Sequence, residues 1–285
     1  MLTVKLCAFA DEASPNLLEQ IEELNKNAVP YIEIRGVNGK NIFDATLDEA
    51  KEWKNQLDNG GIKVWSVGSP IGKVNLDTDW QEYLKKCKNL FEVAKILNAN
   101  RVRIFSFFTS EYEKDATLVV ERLNELCNLA SEYGILLCHE NEKEIFGDIA
   151  LRCDYLLNSV PKLTCVFDPA NFVQCGQEVD GVLDLLKGRI EYYHIKDAKR
   201  NGAIVPAGKG DGALDKVVDS ICKDTVLTVE PHLTVFEGYS GLDKTEMLHE
   251  FVYSDSKTAF KVAIDSIKEI LKNKGYSEEN RVWKK

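Results

Sequence analysis

The sequence has no long hydrophobic run, no excess of basic charge and no low-complexity tract. Its uninterrupted apolar stretches, such as Ile135 to Cys138, are only a handful of residues, whereas a membrane-spanning helix needs roughly 20. A transmembrane helix is therefore excluded. The opening MLTVKLCAFADE has too short an apolar segment for a signal-peptide core and runs at once into acids, so the chain is expected in the cytoplasm. Lys and Arg total 36 against 46 Asp and Glu, a net charge of −10 that repels a phosphate backbone and disfavours nucleic acid as a partner. No C-x-x-C pair occurs. The eight cysteines are scattered, several inside apolar segments, and are expected to be reduced core residues rather than disulfides or zinc ligands. With no Pro/Ser/Gly-rich linker to divide the 285 residues, a single domain is expected.

What is present is a regular alternation. Hydrophobic residues make up 44% of the chain and charged residues 29%, the balance of an ordinary globular enzyme. Short β-rich apolar runs occur at 4–9, 31–34, 64–67, 101–105, 135–139, 163–167, 191–195 and 226–229. Between them lie helical patterns over 17–25, 47–57, 80–97, 116–133, 147–157, 181–186 and 214–222, with a last one over 256–274. In the third of these, Leu84, Cys87, Leu90, Phe91, Ala94 and Leu97 recur at three- and four-residue steps while Lys85, Lys86, Lys88 and Glu92 fill the other face. Each strand is followed by a helix, the signature of parallel βαβ units, and eight such units predict a closed (β/α)8 barrel over residues 1–275. Residues 276–285 have no period of their own and are expected to form a surface tail, whose aromatic residues could dock on a partner subunit in a homo-oligomer.

In such a barrel the functional groups come from the C-terminal ends of the strands. Those ends carry Asp11/Glu12, Glu33/Arg35, Ser66/Ser69, Ser106, Glu140, Asp168, His194 and Glu230, every one polar. LLCHENE, CVFDPAN, YYHIKDA and LTVEPH each place an acid or imidazole directly after an apolar strand. Glu140, Asp168, His194 and Glu230, from four successive strands, are expected to converge at the barrel mouth. Three carboxylates crowded together must either stay protonated in part or share a compensating cation. Three oxygen donors and one imidazole suit one divalent ion, with Mn2+ the best match and Mg2+, Co2+ and Zn2+ the alternatives.

These motifs, together with AFADE, YIEIRG and VPAGKGDG, resemble the xylose isomerase-like TIM barrels, the sugar phosphate isomerase/epimerase family with D-tagatose 3-epimerase and inosose dehydratase among its members. The resemblance covers nearly the whole chain. It implies that Glu140, Asp168, His194 and Glu230 bind one metal and that Glu140 and Glu230 also serve as acid and base on a small carbohydrate substrate. It implies an Arg six residues after the metal His, which is Arg200, and a G-x-G-D loop closing one side of the mouth. The chain departs from the family's frequent D-x-x-H, having Asn171 three residues after Asp168. The implied reaction is isomerisation or epimerisation of a sugar, sugar phosphate or polyol ketone through an enediolate. The alternative is a dehydratase or 3-keto-sugar lyase using the same start. An endonuclease IV-type repair enzyme would need several histidines and meets only four, besides the net charge of −10. A non-catalytic binding barrel would be marked by a lost ligand, and all four ligand types are present.

Simpler readings exist for individual residues. Asp168 alone could be a helix N-cap. Glu142 competes with Glu140, which is favoured by its place immediately after the apolar LLCH. His139 should point away from Glu140 by strand alternation. Lys196, Glu33, Asn171, Arg200, Lys209 and His232 are candidate substrate contacts, although Lys196 with Asp197, and Glu33 with Arg35, could equally form salt bridges. Gly208-Lys209-Gly210 lacks the strand–G-x-x-x-x-G-K-[ST]–helix context of a P-loop.

Overall fold

The computed structural model describes residues 2–236 and 248–285. Eight parallel strands form the inner wall: β1 (Thr3–Ala8), β2 (Tyr31–Ile34), β3 (Lys63–Gly68), β4 (Arg101–Ile104), β5 (Leu136–Glu140), β6 (Thr164–Phe167), β7 (Ile190–Ile195) and β8 (Thr225–Val229). Each pairs with its neighbour in sequence, and β8 returns to β1 through a register running from Val4↔Thr225 to Ala8↔Val229. The sheet therefore closes as a (β/α)8 TIM barrel. Its strands are apolar on both faces because one face packs into the barrel and the other against helices.

The helices are α1 (Leu17–Lys26), α2 (Leu47–Asn59), α3 (Trp80–Ile96), α4 (Tyr112–Glu132), α5 (Ala150–Ser159), α6 (Pro169–Gln174), α7 (Val179–Leu186), α8 (Leu214–Asp219) and α9 (Ser256–Asn273). Local chemistry sets several starts. Asn16 caps α1 through the amides of Leu18 and Glu19, and Thr46 with Glu49 forms a reciprocal capping box on α2. The fifth helix begins at Ala150 rather than at the expected Gly147, whose amide donates to Ser106 Oγ at 2.8 Å. The short α6 has no place among the helical patterns of the sequence, but its cap is Asp168, weighed there as an N-cap, with Pro169 at the first helical position. No helix among the described residues is long and apolar enough to cross a membrane.

Two expectations are corrected. The terminal residues 276–285 are not a surface tail: β9 (Ser277–Glu279) and β10 (Val282–Lys284) form a hairpin, and β10 pairs antiparallel with β1. Asn280 and Arg281 both take positive φ, as a two-residue hairpin turn requires. Trp283 is 1% exposed and packs into the core of its own chain. All eight thiols are free, but Cys222 is exposed and Cys175 half-buried; the other six are core residues.

Inside the barrel, below the mouth, Cys7, Cys138, Val166, Tyr192 and Val226 form an apolar plug with Tyr31, Trp65 and Leu136 against it. This plug is the floor on which the polar strand ends stand. Because truncating a buried aromatic removes both transfer free energy and packing, Trp283→Ala should cost about 3–5 kcal/mol in urea unfolding. A loss within about 0.5 kcal/mol, typical of surface substitutions, would return the segment to the status of a tail.

Candidate metal and active centre

The four strand-end groups do converge. One ligand atom from each of Glu140, Asp168, His194 and Glu230 lies within 4.8 Å of the others, and all four side chains are buried. Strand alternation accounts for the choice. Glu140 closes β5 facing inward, whereas His139 turns the other way and meets Ser106 Oγ at 3.0 Å. Burial holds the His139 imidazole down to about 4, so it stays neutral as a core histidine. Glu142, the competing acid, is drawn off to Lys73 at 2.7 Å. Asp168 is both things the sequence suggested: its Oδ1 caps α6 through the Asn171 amide at 3.0 Å, leaving Oδ2 for the cluster.

His194 Nδ1 lies 2.9 Å from Glu140 Oε1 and 3.8 Å from Glu230 Oε2. Lys196, two residues on and on the same face, sets Nζ 3.0 Å from both Asp168 Oδ2 and Glu230 Oε2. Arg103 Nε is 3.1 Å from Glu140 Oε2. Arg35 crosses the mouth, with Nη1 donating to Glu230 Oε1 at 3.0 Å and its other nitrogens to Asp11 and Glu12. Its guanidinium is sandwiched by Phe9 and Phe236, 4.3 and 5.1 Å from the two ring centres. Asn171 donates to the Asn141 carbonyl at 2.8 Å and reaches Glu140 Oε1 at 3.4 Å.

Among the described residues, the fixed charges in this buried volume are six carboxylates, Asp11, Glu12, Glu33, Glu140, Asp168 and Glu230, against three cations, Arg35, Arg103 and Lys196. The imbalance is absorbed by protons. Burial, reinforced by Glu140 and Glu230 and only partly offset by Lys196, pushes the Asp168 carboxyl up to about 7, and burial pushes Glu12 up to about 8. Burial opposes a charged His194, but Glu140 and Glu33 outweigh it and raise the imidazole well above its ordinary value. The same imidazole and Arg103 overcome burial at Glu140 and bring it down to about 2. A divalent ion fits this set: it would supply two of the missing positive charges to three oxygens and one nitrogen. Asp168 Oδ2 also makes no hydrogen bond among the described residues, its Lys196 neighbour being close but poorly aligned.

The remaining candidates separate. Lys196 and Asn171 border the cluster. Glu33 is fully buried behind His194, with Oε2 3.2 Å from Nε2, which does not leave it free as a sugar contact. His232 takes a positive φ, donates its amide to Glu12 Oε2 at 2.6 Å and lies 3.8 Å from Glu230 Oε1. Arg200 is not brought to the cluster: its side chain is exposed and pairs with Glu178. The Lys209 side chain is exposed as well. Its loop is organised from below by Asp197, whose carboxylate accepts the amides of Gly208, Gly210 and Gly212 at 2.8–2.9 Å. Arg103, His249 and this role of Asp197 escaped the sequence reading. The alternation of two arginines with two apolar residues in the strand RVRI was the available signal for Arg103, while His249, bonding the His232 carbonyl at 3.0 Å, left none.

Residues 21–232 match the family model of the xylose isomerase-like TIM barrel. The chain is 21% identical over 179 residues to a 3-dehydroshikimate dehydratase of Bacillus anthracis, covering 60% of this chain and 63% of that protein, a little under two thirds of the relative's length. Among solved structures, the IOLI protein with a bound zinc atom superposes with a TM-score of 0.73 at 20% identity, over 94% of this chain and 98% of that one. D-psicose 3-epimerase from Clostridium cellulolyticum H10, solved with D-tagatose, gives 0.71 at 14% identity, over 93% and 99%. These likenesses establish the fold.

Two measurements check the site. A Cβ on Gly210 would lie 2.3 Å from Asp197 Oδ1 and 2.6 Å from the Ala198 carbonyl, so Gly210→Ala should destabilise the protein by about 1–3 kcal/mol and open the 205–212 loop to proteolysis. An unchanged digestion pattern would contradict the cradle. Metal analysis after dialysis against Mn2+ should find about one ion per chain, and His194→Ala should lose it. A fully loaded variant with unaltered affinity would remove His194 from the ligand set.

Proposed function

The chain belongs to the xylose isomerase-like TIM barrel family, and from that premise we propose that it is a divalent-metal-dependent isomerase or epimerase of a sugar, sugar phosphate or polyol ketone. The convergence of Glu140, Asp168, His194 and Glu230 in a buried site with surplus negative charge carries the reading. Those four residues would hold the ion, with Mn2+ the first choice on donor type and Zn2+ the rival that the IOLI structure raises. When bound, the ion supplies Lewis acidity to a substrate carbonyl and its neighbouring hydroxyl.

The chain's own groups do the proton work. Burial opposes ionisation of Glu230, but Lys196, His194 and Arg35 together hold it well below the usual carboxylate range, so both it and Glu140 are anionic at neutral pH. Either carboxylate can take the proton alpha to the carbonyl, leaving an enediolate; it can hand that same proton to the adjacent carbon, while delivery to the opposite face requires the other carboxylate first to take up a proton from solvent. Arg103 and Asn171 fix the orientation of Glu140, and Arg35 and Lys196 that of Glu230, which keeps the two bases from collapsing onto one another. Lys196 and His232 stand beside these carboxylates as candidate contacts to substrate oxygens. A small carbohydrate as substrate accords with the relatives, and the net charge of −10 makes nucleic acid an unsuitable one.

A dehydratase or lyase is the second reading, favoured by the similarity to 3-dehydroshikimate dehydratase and by Asn171 in place of the family's frequent histidine. It shares the proton abstraction and differs in what leaves. Glu230→Gln, which keeps an oxygen donor but cannot exchange protons, should lower turnover about 10²–10⁴-fold with the fold intact. Activity within a few-fold of wild type would dismiss Glu230 as acid or base. With a ketose in deuterated water, mass spectrometry should find solvent label at one carbon alpha to the carbonyl. Product without label would point to a hydride shift, and loss of water or an aglycone alongside label would establish the lyase instead.

A further inference from the structure

An acid with no exposed surface needs a reason to be where it is. Glu33, on the inward face of β2, is one: its side chain is completely buried, and it sits across the barrel from β7, below the four candidate ligands. Both carboxylate oxygens are engaged. Tyr192 donates its hydroxyl to Oε1 at 2.7 Å and also lies 3.2 Å from Ser66 Oγ, while Oε2 faces His194 Nε2 at 3.2 Å. Ser66 stands opposite Glu33 in the β2–β3 register, and Tyr192 is two residues before His194 on the same face of β7, so the backbone of three strands fixes the arrangement. Phe9 meets the imidazole edge-on at 5.2 Å and Tyr192 at 5.6 Å, leaving the ring little freedom to turn.

We propose that Glu33 is a positioning residue for the metal centre, keeping a proton on His194 Nε2 so that Nδ1, which faces Glu140, is the nitrogen that gives up its proton and takes the ion. The inference rests on the metal assignment of the proposed function. An imidazole has one lone pair to give, and the hydrogen bond at its far nitrogen decides which nitrogen gives it. Here a carboxylate can only accept from Nε2–H, and the Tyr192 hydroxyl, itself beside Ser66 Oγ, keeps that carboxylate from rotating toward the mouth. Glu33 touches neither substrate nor ion; it acts through His194 alone. Its negative charge also raises the donor strength of the imidazole, which a neutral amide would do less well.

The test compares wild type, Glu33→Gln and Tyr192→Phe by Zn2+ affinity against a competing chelator and by the Nε2–H resonance of His194 in ¹⁵N-histidine-labelled, Zn2+-loaded protein. Glu33→Gln should weaken Zn2+ binding about 10- to 100-fold and move the Nε2–H proton upfield, while far-UV circular dichroism stays that of wild type. Tyr192→Phe, which keeps the acid but frees it, should weaken binding by a few-fold, and it decides the matter should the glutamine variant fail to fold. Unchanged affinity together with an unchanged His194 resonance in the variants would overturn the role of Glu33 while leaving the metal centre standing. Failure of the wild type itself to bind any divalent ion would overturn both.

Discussion

The arrangement of this barrel mouth follows from one constraint: among the described residues, six carboxylates are buried in a volume with three permanent cations. Burying unpaired charge is among the costliest acts of folding, and removing one partner of a buried pair costs several kcal/mol. Two of the three cations are therefore shared, while Arg103 pairs with Glu140. Arg35 serves three acids and Lys196 two, and His194 is flanked by two more. No member can move without stranding another, so the geometry of the centre is set by electrostatics as much as by the strands that carry it.

The barrel makes this sharing feasible. Parallel strands place successive C-terminal ends side by side, and the two-residue alternation puts His194 with Lys196, and Tyr192 with His194, on one face of β7. A single strand thus supplies a ligand candidate, its cationic neighbour and the hydroxyl that steadies the acid behind it. The apolar plug beneath excludes water from the lower face, which is why the pairs above it interact strongly. Asp197, next on the same chain but turned outward, uses its carboxylate on three glycine amides and so shapes the rim without adding to the charge of the centre.

The eight strands and the convergence of Glu140, Asp168, His194 and Glu230 were legible because both are written in local pattern: a short apolar run, then a polar residue at the strand end. What was not legible depended on distance. The hairpin carrying Trp283 is made of two three-residue strands, too short to show a period, and its burial comes from β1, over 270 residues away in sequence. Arg200 sits six residues after His194 as the resemblance required, yet spacing along a loop does not fix direction, and its side chain turns to Glu178. Glu33 was recognised as a strand-end acid but assigned to the substrate, because sequence gives the face of a strand and not the depth within the barrel. Arg103 was passed over because an arginine in a short apolar strand looks like an edge charge until the acid opposite it, Glu140, is placed.

That depth is what separates two kinds of acid in this site. Glu140 and Glu230 stand at the rim, each held by cations that keep it ionised and each with an oxygen turned toward the cluster, a state suited to exchanging protons. Glu33 lies one layer lower, closed off by tyrosine, serine and imidazole, where proton exchange with a substrate has no path and only orientation can be transmitted. The same side chain thus acquires opposite uses over the width of one residue layer. The sequence motif E-x-R of β2 records both levels at once, Glu33 meeting His194 from below while Arg35, two residues further on, reaches across the mouth to Glu230.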